Sequence, residues 1–209
     1  MNTLLLSPHT DDVELGCGGS VVKFMGAGGN VLWVVFSSAA DSLPEDLPKD
    51  TLRGEFLAVA KSLGLNDKNY KVFNYQVRDF NNHRQEILQE LARIGEEFKP
   101  DLVVGPSLND FHQDHKVIAD AMIRMYRITS SIICYELPWN HMTFDTQLFV
   151  KLEKRHIAKK SEMLMNYKSQ LVQRRGYFTD EFIYGLAKVR GVQCNSEYAE
   201  AFEVIRWRL

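Results

Sequence analysis

Leu4-Leu5-Leu6-Ser7-Pro8-His9-Thr10-Asp11-Asp12-Val13-Glu14-Leu15-Gly16 sets a short apolar run directly against a cluster of ionisable side chains. Such a run reads as a buried strand, and the ionisable residues then fall where the chain leaves the sheet. Working outward, similar runs recur at Val31 to Phe36, Tyr70 to Tyr75, Leu102 to Val104 and Ser131 to Tyr135. Between them, apolar residues step by three and four. Leu52, Phe56, Val59 and Leu63 mark one helix, with Asp50 as its cap and Gly64 at its end. Ile87, Leu91, Ile94 and Phe98 mark another, capped by Asn82 and closed by Pro100. Further helices are expected near Ser20 to Met25 and Lys116 to Met125. Strand and helix in alternation predict a Rossmann-like α/β fold, a largely parallel sheet with helices on both faces, because parallel neighbours need crossover connections. After Pro138 come a strand near Phe144 to Val150, helices near His156 to Lys168 and Asp180 to Val189, and a last strand around Ala199 to Trp207. These form a C-terminal elaboration. No repeat or linker interrupts the chain, so residues 1–209 read as one domain.

Composition narrows the function classes. Lys and Arg total 25 against 27 Asp and Glu, a net charge of −2 in mixed order, so no field is set up for nucleic acid. The Lys154-Arg155 and Lys159-Lys160 pairs read as a solvated helix face. Cys17, Cys134 and Cys194 are odd in number and far apart, which argues against a disulfide framework or a thiolate zinc site. No stretch is long enough to span a membrane, and the N-terminus lacks a basic leader; a cytoplasmic protein is expected.

Two segments carry the chemistry. The first is Pro8 to Gly16, after strand one; the second is Asp110-Phe111-His112-Gln113-Asp114-His115, after strand four. With strand order 3-2-1-4-5, these two strands flank the point where the winding reverses, and ligand sites form there at the carboxyl ends. Catalytic zinc often takes two histidines and a carboxylate and keeps one position open. His9, one of Asp11 and Asp12, and one of His112 and His115 supply that set. The carboxylate and histidine left over suit a base for water and a donor for an oxyanion.

His9-Thr10-Asp11-Asp12 and His112-Gln113-Asp114-His115 resemble the paired His-Pro-Asp-Asp and His-Pro-Asp-His segments of the PIG-L/LmbE-like de-N-acetylases, with Thr10 and Gln113 in place of the prolines. Arg53-Gly54-Glu55 with Ala58 and Leu63-Gly64, Lys99-Pro100-Asp101, and Tyr198-Ala199-Glu200-Ala201-Phe202 extend the likeness along the chain. The resemblance implies zinc, or another divalent ion, on His9, Asp12 and His115. It implies Asp11 as general base, His112 as polariser of the carbonyl or donor to the leaving amine, and Asp114 as the residue orienting His112. The implied reaction removes an acetyl group from a small amino-sugar conjugate of N-acetylglucosamine type.

Plainer roles stand beside these. Asp11 can cap the next helix, and Asp114 can cap the helix it enters. Gly16-Cys17-Gly18-Gly19 lacks the third glycine of a dinucleotide motif and reads as a tight turn against the metal loop. Arg53 at the helix start after strand two suits a substrate phosphate, carboxylate or hydroxyl, or else an acid such as Asp50 or Glu55. Asp79 can meet a sugar hydroxyl, and Trp139 with His141 can wall the crevice or simply pack. Two other functions stay open: a zinc amidase for a non-sugar N-acyl amine or thiol conjugate, and a sugar- or nucleotide-binding module whose metal is structural. Homo-oligomerisation is also left open.

Overall fold

A computed structural model describes residues 1–173 and 175–208. Strands β1 (Asn2–His9), β2 (Asn30–Ser37), β3 (Tyr70–Val72), β4 (Leu102–Gly105) and β5 (Ser131–Tyr135) pair in parallel in the order β3-β2-β1-β4-β5. The C-terminal part lengthens this sheet: β7 (Tyr198–Arg206) runs antiparallel to β5, and β6 (Leu148–Leu152) pairs antiparallel with β7.

Alternation along each strand feeds two cores. Leu5, Val31, Trp33, Val35, Val104 and Ile133 face one core, while Leu4, Leu6, Val34, Val103 and Ile132 face the other. On the first side lie α1 (Asp12–Gly26), α2 (Thr51–Ser62), α5 (Lys154–Leu164) and α7 (Asp180–Gln193), through residues such as Val21, Phe56, Ile157 and Ile183. On the second lie α3 (Arg84–Phe98) and α4 (Gln113–Tyr126), through Ile87, Leu91, Ile118 and Met122. A short helix, α6 (Lys168–Val172), follows α5 and has no counterpart in the sequence reading.

Several local expectations are corrected. Helix α1 begins at Asp12, not near Ser20, and runs through the Gly16–Gly19 stretch with a break at Cys17, whose φ and ψ are not helical. Its glycines answer to neighbours: a Cβ on Gly16 would sit 2.5 Å from the Tyr135 ring. Strand β3 stops at Val72, and α3 is entered through His83 rather than Asn82, which lies in a 3-10 turn over Phe80–His83. Asp50 holds the N-cap position of α2 but makes no capping bond through its side chain.

Candidate metal centre

His9 ends β1, and Asp11 and Asp12 follow at the start of α1. His112 is the N-cap of α4 and His115 lies in its first turn. Because β1 and β4 are adjacent and parallel, both segments leave the sheet at the same edge, beside the reversal in strand order. His9, His112 and His115 each bring a ring nitrogen within 4.8 Å of the others.

A tighter set includes Asp12. His9 Nδ1 is 3.3 Å from His115 Nε2, and Asp12 Oδ2 is 3.5 Å from the first and 3.4 Å from the second. Tetrahedral zinc with ligand bonds of about 2.0–2.1 Å has ligand-to-ligand edges of about 3.3–3.4 Å. The protein atoms stand at that spacing.

The outer contacts decide which nitrogens are free. His9 Nε2 lies 3.0 Å from Asp114 Oδ2, and His115 Nδ1 lies 2.7 Å from Asp110 Oδ2. An ionised carboxylate only accepts, so each ring donates through the nitrogen turned away from the centre. The two inner ring nitrogens then face one another beside the Asp12 carboxylate, an arrangement that suits a positive charge between them, whether a shared proton or a metal ion. Carboxylates behind metal-binding histidines do this elsewhere, fixing tautomer and orientation. The surrounding field agrees. Burial alone would lower the pKa of His9, but hydrogen bonds and charge from Asp114 and Asp12 overcome it and raise it to about 9. Burial disfavours ionised Asp12 too, yet the charges of His115 and His9 hold its carboxyl below the usual range.

Asp11 sits at the N-cap position of α1 with φ 78°, in the left-handed region, and its side chain makes no capping hydrogen bond. Backbone strain of this kind persists where the surroundings enforce it, and often at functional sites. Burial and the negative charges of Asp12 and Glu14 push its pKa well up. With no capping bond, the carboxyl is left for other work, and a cation held beside it at Asp12 would favour its ionised form.

His112 accepts a hydrogen bond on Nδ1 from the Asp114 amide at 3.2 Å. That occupies the Nδ1 lone pair and places the proton of the neutral ring on Nε2. Burial, with the neighbouring His115 and His9 charges, pushes its pKa down to about 4, so the ring is a neutral donor.

The Asp114 carboxylate contacts both His9 and His112. Asp114 does not cap α4, since His112 does, and its carboxylate bonds His9 while standing 4.0 Å from His112 Nδ1. The Arg78 amide donates to the same oxygen at 2.7 Å. Asp110 was not singled out by the sequence reading, although it opens the second segment. Besides gripping His115 it accepts from the His112 amide at 2.7 Å, so one buried side chain sets both histidines. The acid two residues before the first histidine was the available signal.

The centre opens into a cavity of about 220 Å³ whose floor includes His9, Asp11, Asp12, His112 and His115. Trp139 is on its wall, as expected, stacked on Tyr177 with ring centroids 4.0 Å apart. Gln170 and Arg175 complete that side and were missed, because the stretch around them shows no periodicity. Arg175 donates to the Tyr177 hydroxyl at 2.7 Å. The other expected substrate contacts lie elsewhere. His141 does not line the cavity; its buried ring sits behind Asp110, 3.8 Å from Oδ2, and stacks on Phe144. Arg53 borders a separate hollow with Asp41, Lys49 and Tyr75. Asp79 faces His83 at 3.3 Å and accepts from Asn82.

The chain is 24% identical over 169 residues to the Escherichia coli (strain K12) protein named uncharacterized deacetylase YaiS, covering 79% of this chain and 90% of that one. Among solved structures, N,N'-diacetylchitobiose deacetylase from Pyrococcus horikoshii superposes with a TM-score of 0.80 at 20% identity, over 98% of this chain and 83% of that one. GalB, the 4-carboxy-2-hydroxymuconate hydratase from Pseudomonas putida, superposes with a TM-score of 0.76 at 20% identity, over 100% and 97%. At such identities the likeness concerns the fold, and two different reactions on it mean that chemistry has to be argued from the site. Residues 4–126 match the PIG-L family model, described as GlcNAc-PI de-N-acetylase, and the chain belongs to that family of de-N-acetylases.

Proposed function

We propose that this protein is a zinc-dependent N-deacetylase that hydrolyses the acetamide of a small N-acetylglucosamine-type conjugate. The observation carrying the reading is the triangle of His9 Nδ1, Asp12 Oδ2 and His115 Nε2, with edges of 3.3–3.5 Å and a carboxylate behind each ring. When bound there, zinc supplies Lewis acidity and an acidified water. Three donors beside an open cavity suit a catalytic site better than a closed structural one.

The chain's own residues divide the remaining work. Asp11, free of capping duty, accepts a proton from the attacking water as the new C–O bond forms. His112 donates from Nε2 to the carbonyl oxygen as charge gathers on it. When the C–N bond breaks, the carbonyl re-forms and the proton held by Asp11 passes to the departing nitrogen, giving acetic acid and the amine, which become acetate and an ammonium at neutral pH. Asp114 and Asp110 keep His9 and His115 turned correctly. Trp139 and Tyr177 offer aromatic surface to a sugar ring.

The reading includes a cytoplasmic location, supported by three unpaired cysteines. No helix among the described residues is long and apolar enough to cross a membrane. The test combines metal analysis with acetate release, comparing N-acetylglucosamine conjugates with non-sugar N-acyl amines. Zinc near one equivalent and preference for the sugar conjugates are expected. Release from the non-sugar amines alone would replace the substrate, and zinc bound without any hydrolysis would replace the function.

A further inference from the structure

Helix α1 is broken in the middle. Cys17 has φ −151° and ψ 26°, outside the helical region. In an unbroken helix the amides of Gly19 and Ser20 would bond the carbonyls of Leu15 and Gly16. Here they donate to one carboxylate on β7: Gly19 N to Glu200 Oε1 at 3.0 Å and Ser20 N to Glu200 Oε2 at 2.7 Å. The Leu15 carbonyl instead accepts from Lys160 Nζ on α5 at 2.7 Å, and the same nitrogen donates to Glu200 Oε1 at 2.7 Å. An anion thus sits at the start of the rear half of the helix and a cation at the end of the front half, each matching the local dipole.

Both side chains are only 5% exposed, so Lys160 is no part of a solvated face, contrary to the sequence reading. The glycines make room for them. A Cβ on Gly18 would come 3.1 Å from Lys160 Cγ, and one on Gly19 would come 3.3 Å from Glu200 Oε1 and 2.7 Å from Leu152 Cδ1. Apolar residues often replace a buried ion pair without loss of stability, so stability alone is a weak reason for this one. What the pair holds apart from the rest of α1 is residues 12–16, and Asp12 stands at their head.

We propose that Lys160 and Glu200 are positioning residues for the metal centre: by keeping α1 broken at Cys17, they fix the turn that presents Asp12, and Asp11 before it. The proposal rests on the metal-centre reading above. Without the pair, the Gly19 and Ser20 amides are free to close onto Leu15 and Gly16. Straightening α1 in that way moves Asp12 Oδ2 out of the triangle it makes with the two rings.

The test measures zinc affinity of the metal-stripped full chain by chelator competition, with its melting temperature taken metal-free. Two variants are compared with the parent: Glu200→Gln, and the pair Lys160→Met with Glu200→Leu, which fills the site with apolar groups. A melting temperature near the parent's and a zinc Kd raised about 10- to 100-fold are expected, the range typical of losing outer-shell support. Acetate release should fall in kcat with KM little changed. A folded variant with the parent's zinc Kd overturns the proposal. Failure of both variants to fold also overturns it, since the pair would then be a stability element. If the parent itself binds no zinc, the metal-centre reading fails separately.

Discussion

On the floor of the cavity, the rings that face the candidate metal position are gripped from behind: His9 by Asp114, His115 by Asp110, and His112 by a backbone amide. The wall is held differently. Trp139 lies on Tyr177 and against Phe182, and Trp139 remains 38% exposed. Buried hydrogen-bonded groups are held in one orientation, as catalysis requires of donors and bases. Stacked rings can slide at small cost. The floor is therefore built for a fixed reaction and the wall for an adjustable substrate, and variants in the two should damage different kinetic constants.

The largest effect is expected at Asp11. Asp11→Asn keeps size and the N-cap position but cannot take a proton, so turnover should fall about 10²–10⁴-fold, the usual contribution of a general base. Zinc content should stay at the parent's level. An Asp11→Asn protein with zinc bound and near-parental turnover would remove the base from the floor.

His112→Ala comes next. The ring is proposed to act on charge that develops during the reaction, so kcat and kcat/KM should fall together by about 10²–10³-fold, the cost of one oxyanion donor. Metal analysis carries the decisive second readout. His112 offers a nitrogen to the same cluster as His9 and His115, and loss of zinc in this variant would make it a ligand instead.

The floor was legible in the sequence because its residues are contiguous in two short segments at the ends of adjacent strands. The alternation of elements argues for a parallel sheet, and the order 3-2-1-4-5 assumed for it, which the structure shows, brings residues 9–12 and 112–115 together. The contact of Asp114 with His9 was not legible because it spans 105 positions, whereas its nearness to His112 follows from sequence adjacency. The neighbours of Gly16, Gly18 and Gly19 were hidden for a related reason. A glycine cluster locally signals a turn, but here it answers to Tyr135, Lys160 and Leu152, which arrive from elsewhere in the chain. The wall was the least legible part. Gln170, Arg175 and Tyr177 lie in a stretch without periodicity, and only tertiary packing brings them to Trp139.

Asp110 tests how much the rear grip matters. Asp110→Asn can still accept through its one oxygen from either His112 N or His115 Nδ1, but its amide nitrogen only donates, so the other bond is lost. Zinc affinity should drop about 10- to 100-fold, read by chelator competition. An unchanged Kd would mean that packing alone orients His115.

The smallest effect belongs to the wall. Trp139→Ala removes an indole that stacks on Tyr177 with an interplanar angle of 12° and lines the cavity without touching the metal triangle. An aromatic contact is worth about 0.5–1.5 kcal/mol beyond area, which corresponds to roughly 2- to 12-fold in binding. If the indole meets a sugar ring equally before and during the reaction, as the proposed function implies, the loss should appear in KM with kcat preserved. Zinc affinity should not move. The effect should also depend on substrate: a planar hydrophobic ring contact matters for an N-acetyl sugar and less for a short acyclic N-acetyl amine. If Trp139→Ala lowers kcat while KM holds, the wall takes part in placing the reacting carbonyl, and the division between a fixed floor and an adjustable wall breaks down at that residue.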